Sequence, residues 1–275
     1  MLKKDTVTLK RDYKNVVMRF KLTLNIDRKY GDCLPLNYQY EQSAVIYKIL
    51  GKADIEYSSW LHDNGFQLES GKRFKLFCFS RFIFEKFRLM PKTEYLNIIG
   101  NKIEWLISFL PEKSTQEFIQ GIFANQHFII GNKDYKVAFD VVNVELLPFP
   151  DFKPEMEFSC LSPVCVRERK DNCTFYLSPI DEHYAMALQK GLLSRYQSLY
   201  GSPYQGDISS FHFELLDKKP KSALITIKAG TPQETRVRGY FFRFKLSAPE
   251  CLLQIAYDGG IGEECSQGFG CIEKI

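Results

Sequence analysis

The residues whose type and spacing best suit a phosphate lie near the end of the chain. Gly259, Gly260, Gly262, Gly268 and Gly270 fall within the twelve positions 259–270, directly after an apolar run from Cys251 to Tyr257. Glycines this crowded let a loop take positive φ at several points and turn its backbone N–H groups toward an anionic or flat ligand. Spacing alone equally describes a hairpin turn. The two common nucleotide loops are excluded: no Lys-Ser or Lys-Thr follows at P-loop spacing, and too little chain remains for a βαβ unit. A second resource is cationic. Lys72, Arg73, Lys75, Arg81, Lys86, Arg88 and Lys92 are opposed between positions 72 and 92 by Glu85 alone, and they interleave with Phe74, Phe77, Phe79, Phe82, Phe84 and Phe87. Further basic runs cover Arg167 to Lys170 and Lys218 to Lys245. Any one of them could be a solvated strand face, but three in a chain of net charge only +4 suit an anionic polymer.

Other chemistries find less support. The eight cysteines form no Cys-x-x-Cys pair and the four histidines stand far apart, so neither zinc nor a disulfide framework is expected. Buried, reduced thiols are the reading for Cys265 and Cys271, and structural roles for His127, His183 and His212. No metal or cofactor is expected. An apolar fraction of 45% with 25% charged residues is that of a globular protein. No apolar run approaches the roughly 20 residues of a membrane helix, which makes the cytoplasm the expected compartment.

The elements that must position these residues follow from periodicity. Residues 1–16 read as a charged extension. Val17 to Ile26 alternates as a strand, and helical spacing takes over from Tyr38 to Leu50 and from Ala53 to His62. Phe74 to Phe84 is β in composition, hairpins are expected at Gly100-Asn101 and Gly131-Asn132, and Glu112 to Ala124 is helical. The order β-α-ββ-α-β is ferredoxin-like. Three prolines within 147–154 suggest a linker, after which the pattern repeats. A strand is expected over Phe158 to Arg167 and a helix from Ser178-Pro179. Strands at Ser209 to Leu216, Ser222 to Lys228 and Arg238 to Leu246 follow, then a helix from Pro249 to Tyr257 and a last strand. The expectation is an α+β protein of two tandem ferredoxin-like domains, 17–146 and 155–275, with the glycine loop between the last helix and the last strand.

Gly260-Ile261-Gly262, five residues, then Gly268-Phe269-Gly270 and a short apolar end resembles the terminal loop of the CRISPR repeat-processing endoribonucleases of the repeat-associated mysterious protein superfamily. Pro35 to Tyr40, Ala44 to Tyr47, Trp60-Leu61-His62 and Lys75 to Ser80 resemble the N-terminal half of the same family. The resemblance implies two tandem ferredoxin-like domains and a metal-independent site. Carried over by motif, the site is a tyrosine on the first helix, Tyr47, a histidine shortly after it, His62, and a lysine before the next strand, Lys75. It implies further that Lys72, Arg73, Gly260, Gly262, Gly268 and Gly270 contact RNA. Glu263 and Glu264, inside the loop, oppose a phosphate there and leave support of stacked bases, or packing on the first domain, as the loop's other uses.

The implied reaction is cleavage of precursor CRISPR RNA within its repeats by 2′-hydroxyl attack, leaving a 2′,3′-cyclic phosphate and a 5′-hydroxyl. His62 is implied as base or acid, Lys75 as charge stabiliser, and Tyr47 as a hydrogen-bond or proton donor. Without the resemblance, Tyr47 would read as a core aromatic and His62 as a helix-end residue. The implied partners are CRISPR repeat RNA, other effector subunits and a second copy of the chain. One alternative is the same fold kept as a non-catalytic RNA-binding subunit; another is an enzyme that holds a mononucleotide in its glycine loop.

Overall fold

The computed structural model describes residues 18–170 and 173–275. The expected extension 1–16 lies outside the described residues.

Two sheets, each backed by helices, carry the molecule. The first contains β1 (Met18–Asp27), β2 (Phe77–Phe79), β3 (Lys102–Phe109), β4 (His127–Gly131) and β5 (Lys136–Leu147), in the antiparallel order β4-β5-β1-β3-β2. β1 is central because Phe20, Leu22 and Leu24 alternate onto one buried face. Its register sets Arg19 opposite Leu147 on one side and Ser108 on the other. On that face pack α1 (Gln39–Ala53) and α3 (Glu112–Ala124), which contribute Val45, Ile46, Ile49, Leu50, Phe118 and Ile122 to the core. α2 (Ile55–Asp63) follows α1 after the Asp54 N-cap, whose side chain accepts from Tyr57 N at 2.8 Å.

The second sheet has the order β7-β8-β6-β9, from β6 (Glu155–Cys160), β7 (His212–Leu215), β8 (Arg243–Ser247) and β9 (Ile272–Lys274). α4 (Tyr184–Tyr200) and α5 (Glu250–Gly259) cover it through Tyr184, Leu188, Leu192, Leu252, Leu253 and Ile255. In both halves the strand following the first helix lies at one edge and the last main strand lies on the far side of the first. This is the ferredoxin-like arrangement expected twice over. The second core also takes in Phe74, Leu76 and Leu110 from the first half.

Three local expectations are corrected. Tyr95–Ile98 does not form a hairpin with β3. Both edges of β3 are occupied, by β1 on one side and by β2 and Ile83–Phe84 on the other, so Tyr95–Ile98 pairs instead with Cys33–Pro35 and Phe87–Leu89. The single strand expected over Arg238 to Leu246 breaks at buried Phe242: Thr235–Phe241 pairs with Lys221–Ile227, while β8 joins the main sheet. Ser178-Pro179 opens a turn closed by Asp181 N to Ser178 O at 2.9 Å rather than capping a helix, and α4 begins later, at Tyr184. Among the described residues no helix is long and apolar enough to cross a membrane.

Candidate active site

On α1, Gln39, Ser43 and Tyr47 are spaced i, i+4, i+8 and form one stripe along the helix. The second half lies along this stripe. Gly268 sits over the Gln39 side chain, the Ser43 hydroxyl donates to Ser266 O at 2.7 Å, and the Ser266 side chain lies near enough to the Tyr47 phenol to oppose the effect of its burial. Burial pushes the Tyr47 phenol well above its ordinary pKa, so near neutrality it is a donor.

His62 lies in the last turn of α2 with its side chain 65% exposed. Its ring meets Tyr47 edge to face with centroids 5.0 Å apart. His62 Nδ1 lies 2.8 Å from Asp63 Oδ1, and a carboxylate there accepts Nδ1–H, so that in the neutral ring the lone pair falls on Nε2.

The last carbonyls of a helix have no partner within it and favour cations. Two basic side chains meet that need at the end of α2: Lys75 Nζ donates to His62 O at 2.5 Å and Arg73 Nη1 to Asp63 O at 2.9 Å. Lys75 is half-buried, and burial together with the Arg73 charge brings its pKa down to about 8. The next residue, Leu76, is buried at φ 55°, a strained left-handed conformation for a branched side chain at the entrance to β2.

Opposite stands the glycine loop. Gly260, Gly262, Gly268 and Gly270 all have φ between 70° and 90°, and all are buried. A Cβ at Gly262 would meet the Cys165 carbonyl, and one at Gly270 the Ile261 carbonyl. These glycines therefore fold the loop tightly onto the rest of the molecule, and the half-exposed side is formed by Glu263, Glu264, Ser266 and Gln267. Arg195, buried on α4, holds the loop from below through Gly262 O and, at 3.0 Å, Cys265 Sγ.

The two loop glutamates are neutralised. Arg167 Nε meets Glu263 Oε2 at 2.5 Å and its Nη2 meets Glu264 Oε1 at 2.8 Å, while Lys72 reaches Glu263 at 3.2 Å. Partial burial would raise the Glu263 carboxyl, yet Arg167 and Lys72 hold it below the usual carboxylate range. Between the halves lies a cleft of about 280 Å³ lined by Lys72, Arg73, Lys75, Arg167, Glu263 and Ser266 among others.

The three side chains carried over by motif thus come together, although Tyr47 and Lys75 stand 28 positions apart (75 − 47). Of the three neighbouring cations, Lys72 is engaged by Glu263, while Arg73 and Lys75 each donate to a carbonyl at the end of α2, that of Asp63 and that of His62. Sequence reasoning missed Asp63, Arg167 and Ser266 as parts of this site. Adjacency to His62 was the available signal for Asp63; Ser266 had none. Among the described residues, Asp27, His127 and Asp140 lie close enough to share an ion, and His62 is not among them. Cys265 and Cys271 are buried beside Cys78, as packing residues.

Two family models match the chain: CRISPR-associated protein Cas6, N-terminal, over residues 33–140, and CRISPR associated protein Cas6, C-terminal, over residues 147–274. The CRISPR-associated endoribonuclease Cas6 1 of Methanocaldococcus jannaschii is 26% identical over 262 residues, covering 94% of this chain and 93% of its own. An endoribonuclease-like Cas6 protein of Pyrococcus furiosus is 27% identical over 248 residues, covering 88% and 92%. The solved structure of a Cas6-related gene product from Pyrococcus furiosus superposes with a TM-score of 0.79 at 25% identity, covering 94% of this chain and 98% of that one.

Proposed function

The chain belongs to the Cas6 family of CRISPR-associated proteins, and from that premise we propose that it is an endoribonuclease that cleaves precursor CRISPR RNA within its repeats. The observation that carries the reading is the chain of contacts from Tyr47 to the His62 ring and from the His62 carbonyl to Lys75, which lines a basic cleft between the two halves.

RNA carries its own nucleophile. A base removes the 2′-hydroxyl proton and the 2′-oxygen bonds to the adjacent phosphorus. The bond from phosphorus to the 5′-oxygen breaks, and an acid protonates that oxygen. The products are a 2′,3′-cyclic phosphate and a 5′-hydroxyl. His62, exposed and with Nε2 free, serves as base or acid. Tyr47, kept protonated by burial, donates a hydrogen bond or proton to the phosphate or the leaving oxygen. Lys75 stabilises the charge that grows on the phosphoryl oxygens. Side chains thus fill each role, and the proposed reaction is metal-independent. A single well-placed acid or base gives about 10²–10⁴-fold.

Lys72 and Arg73 lie on the same rim and are assigned to RNA phosphates. Gly260, Gly262, Gly268 and Gly270 act on RNA by setting the shape of the loop that presents residues 263–267. Domains 17–146 and 155–275, joined by 147–154, a cytoplasmic setting, and assembly with a second copy or with effector subunits belong to the same reading.

The test is incubation of the purified protein with its host's labelled repeat RNA in EDTA, beside His62→Ala and an RNA with a 2′-deoxy sugar at the cut site. Cleavage at one position, abolished by either change, is expected. Tight binding without cleavage by any form would replace this reading with that of an RNA-holding subunit.

A further inference from the structure

Three ligand-bearing side chains meet on the first sheet, one from each of three neighbouring strands. Phe20, Leu22 and Leu24 of β1 turn into the core beneath the helices, so by alternation Asn25 and Asp27 turn to the other face. In β5, Asp140 stands opposite Asn25, and in β4, His127 stands opposite Asp140, which puts both on the face of Asn25 and Asp27. Asp27, opposite Ala138, is the diagonal neighbour of Asp140. The ligand atoms of Asp27, His127 and Asp140 all lie within 4.8 Å of one another. His127 Nδ1 is 2.8 Å from Asp140 Oδ1, and both side chains are about half exposed, which leaves room for water.

An ion pair accounts for His127 with Asp140, and a helix cap accounts for one oxygen of Asp27, which accepts from Lys29 N at 3.0 Å. Neither accounts for two carboxylates held together, since like charges on neighbouring strands oppose one another. Among the described residues Asp27 makes no ion pair. Basic residues near it in the fold are engaged elsewhere: Arg28 with Asp32 at 3.3 Å and with the carbonyls of Ile98 and Ile99, and Lys102 with Glu104 at 3.6 Å. Two donors bound at roughly 2.1 Å and at right angles around one ion stand about 3 Å apart, which is close to the spacing of His127 Nδ1 and Asp140 Oδ1. Rotation of exposed side chains closes the remaining separation to Asp27. The donor set also selects the ion. Magnesium and calcium prefer oxygen ligands and soft ions prefer sulfur, whereas an imidazole with carboxylates suits zinc and its neighbours in the first transition row.

We propose that Asp27, His127 and Asp140 form a surface site for a divalent transition-metal ion of the zinc class, completed by water, that ties the edge strand β4 through β5 to β1. β4 pairs with β5 alone among the described strands, so a shared ion adds a second tie to the edge of the sheet. The site uses none of the residues assigned to cleavage and is independent of the proposed function.

The test strips the full chain with EDTA, exchanges it into metal-free buffer near neutral pH, and titrates it with Zn²⁺ or Co²⁺. Calorimetry, absorption spectra and thermal unfolding follow the titration. One equivalent of ion should bind, and the Tm should rise with zinc concentration. The Co²⁺ spectrum should lack the strong near-ultraviolet band of thiolate ligands, which separates this site from the eight cysteines. His127→Ala, Asp140→Asn and Asp27→Asn should each weaken binding roughly tenfold or more. Their metal-free Tm should stay close to that of the wild type, because an exposed ion pair contributes little and asparagine still caps a helix. Failure of Zn²⁺ to bind, binding undiminished in all three variants, or a thiolate spectrum would each overturn the site. Cleavage of RNA in EDTA tests the proposed function separately and should not depend on these three residues.

Discussion

The two halves repeat one strand arrangement and divide the labour unequally. In the first, the helix after β1 carries a polar stripe, Gln39, Ser43 and Tyr47, and the end of α2 is exposed, so reactive side chains meet solvent there. In the second, the corresponding helix α4 turns Leu188, Leu192 and Arg195 inward, and its arginine grips a loop carbonyl. The loop after α5 gives the first half a surface to lean on and few reactive groups. A repeated fold need not repeat a site, because the helix ends and loops carry the chemistry and the sheets only fix their separation.

The comparison can be broken most forcefully at Gly268 or Gly270. Replacing either with alanine forces a side chain into a left-handed conformation and into neighbouring atoms, the Gln39 side chain or the Ile261 carbonyl. A loss of about 1–3 kcal/mol or more is expected, read as a lower midpoint of chemical unfolding. An unchanged midpoint would mean that the loop is not held as described. Ser266→Ala tests the same contact without the strain. It removes the hydroxyl near Tyr47, so the cleavage rate at saturating RNA should fall about tenfold with binding and Tm unchanged, and Ser266→Thr should restore it.

The pH dependence sharpens the role assigned to the first half. With its pKa lowered to about 8, Lys75 is protonated below that pH and loses its charge above it. Cleavage should therefore decline as pH rises through about 8. Lys75→Arg, whose cation persists to far higher pH, should remove that decline even if its rate is lower at pH 7. A wild-type rate that stays flat to pH 10 would take the charge-stabilising role from Lys75.

The smallest effect belongs to the second half. Glu263→Gln releases Lys72 and Arg167 from their shared carboxylate, so RNA should bind a few-fold more tightly, with a steeper salt dependence. Weaker binding would show that Glu263 orders those cations for RNA.

Much of this was legible in the chain itself. Alternation marked β1, helical spacing marked α1 and α3, and the apolar run into the glycines marked α5, because burial of one face imposes a period on the sequence. The proposed site of Tyr47, His62 and Lys75 came from resemblance to a family; periodicity alone made two of them ordinary structural residues. The pairing of Tyr95–Ile98 was not legible, since which edge of β3 is free depends on distant strands. Nor was the start of α4, where a turn at Ser178 competes with a helix cap using the same residue types.

The sequence by itself determined the two-fold repeat of elements, the glycines that a tight loop requires and the excess of cations. Tertiary structure alone decided that the glycines face inward, that Arg167 and Lys72 cancel Glu263 and Glu264, and that Lys75 rather than its basic neighbours reaches the His62 carbonyl. The reason is physical: backbone freedom and charge are local properties of residues, whereas burial and counter-charge are supplied by whichever distant segment packs alongside.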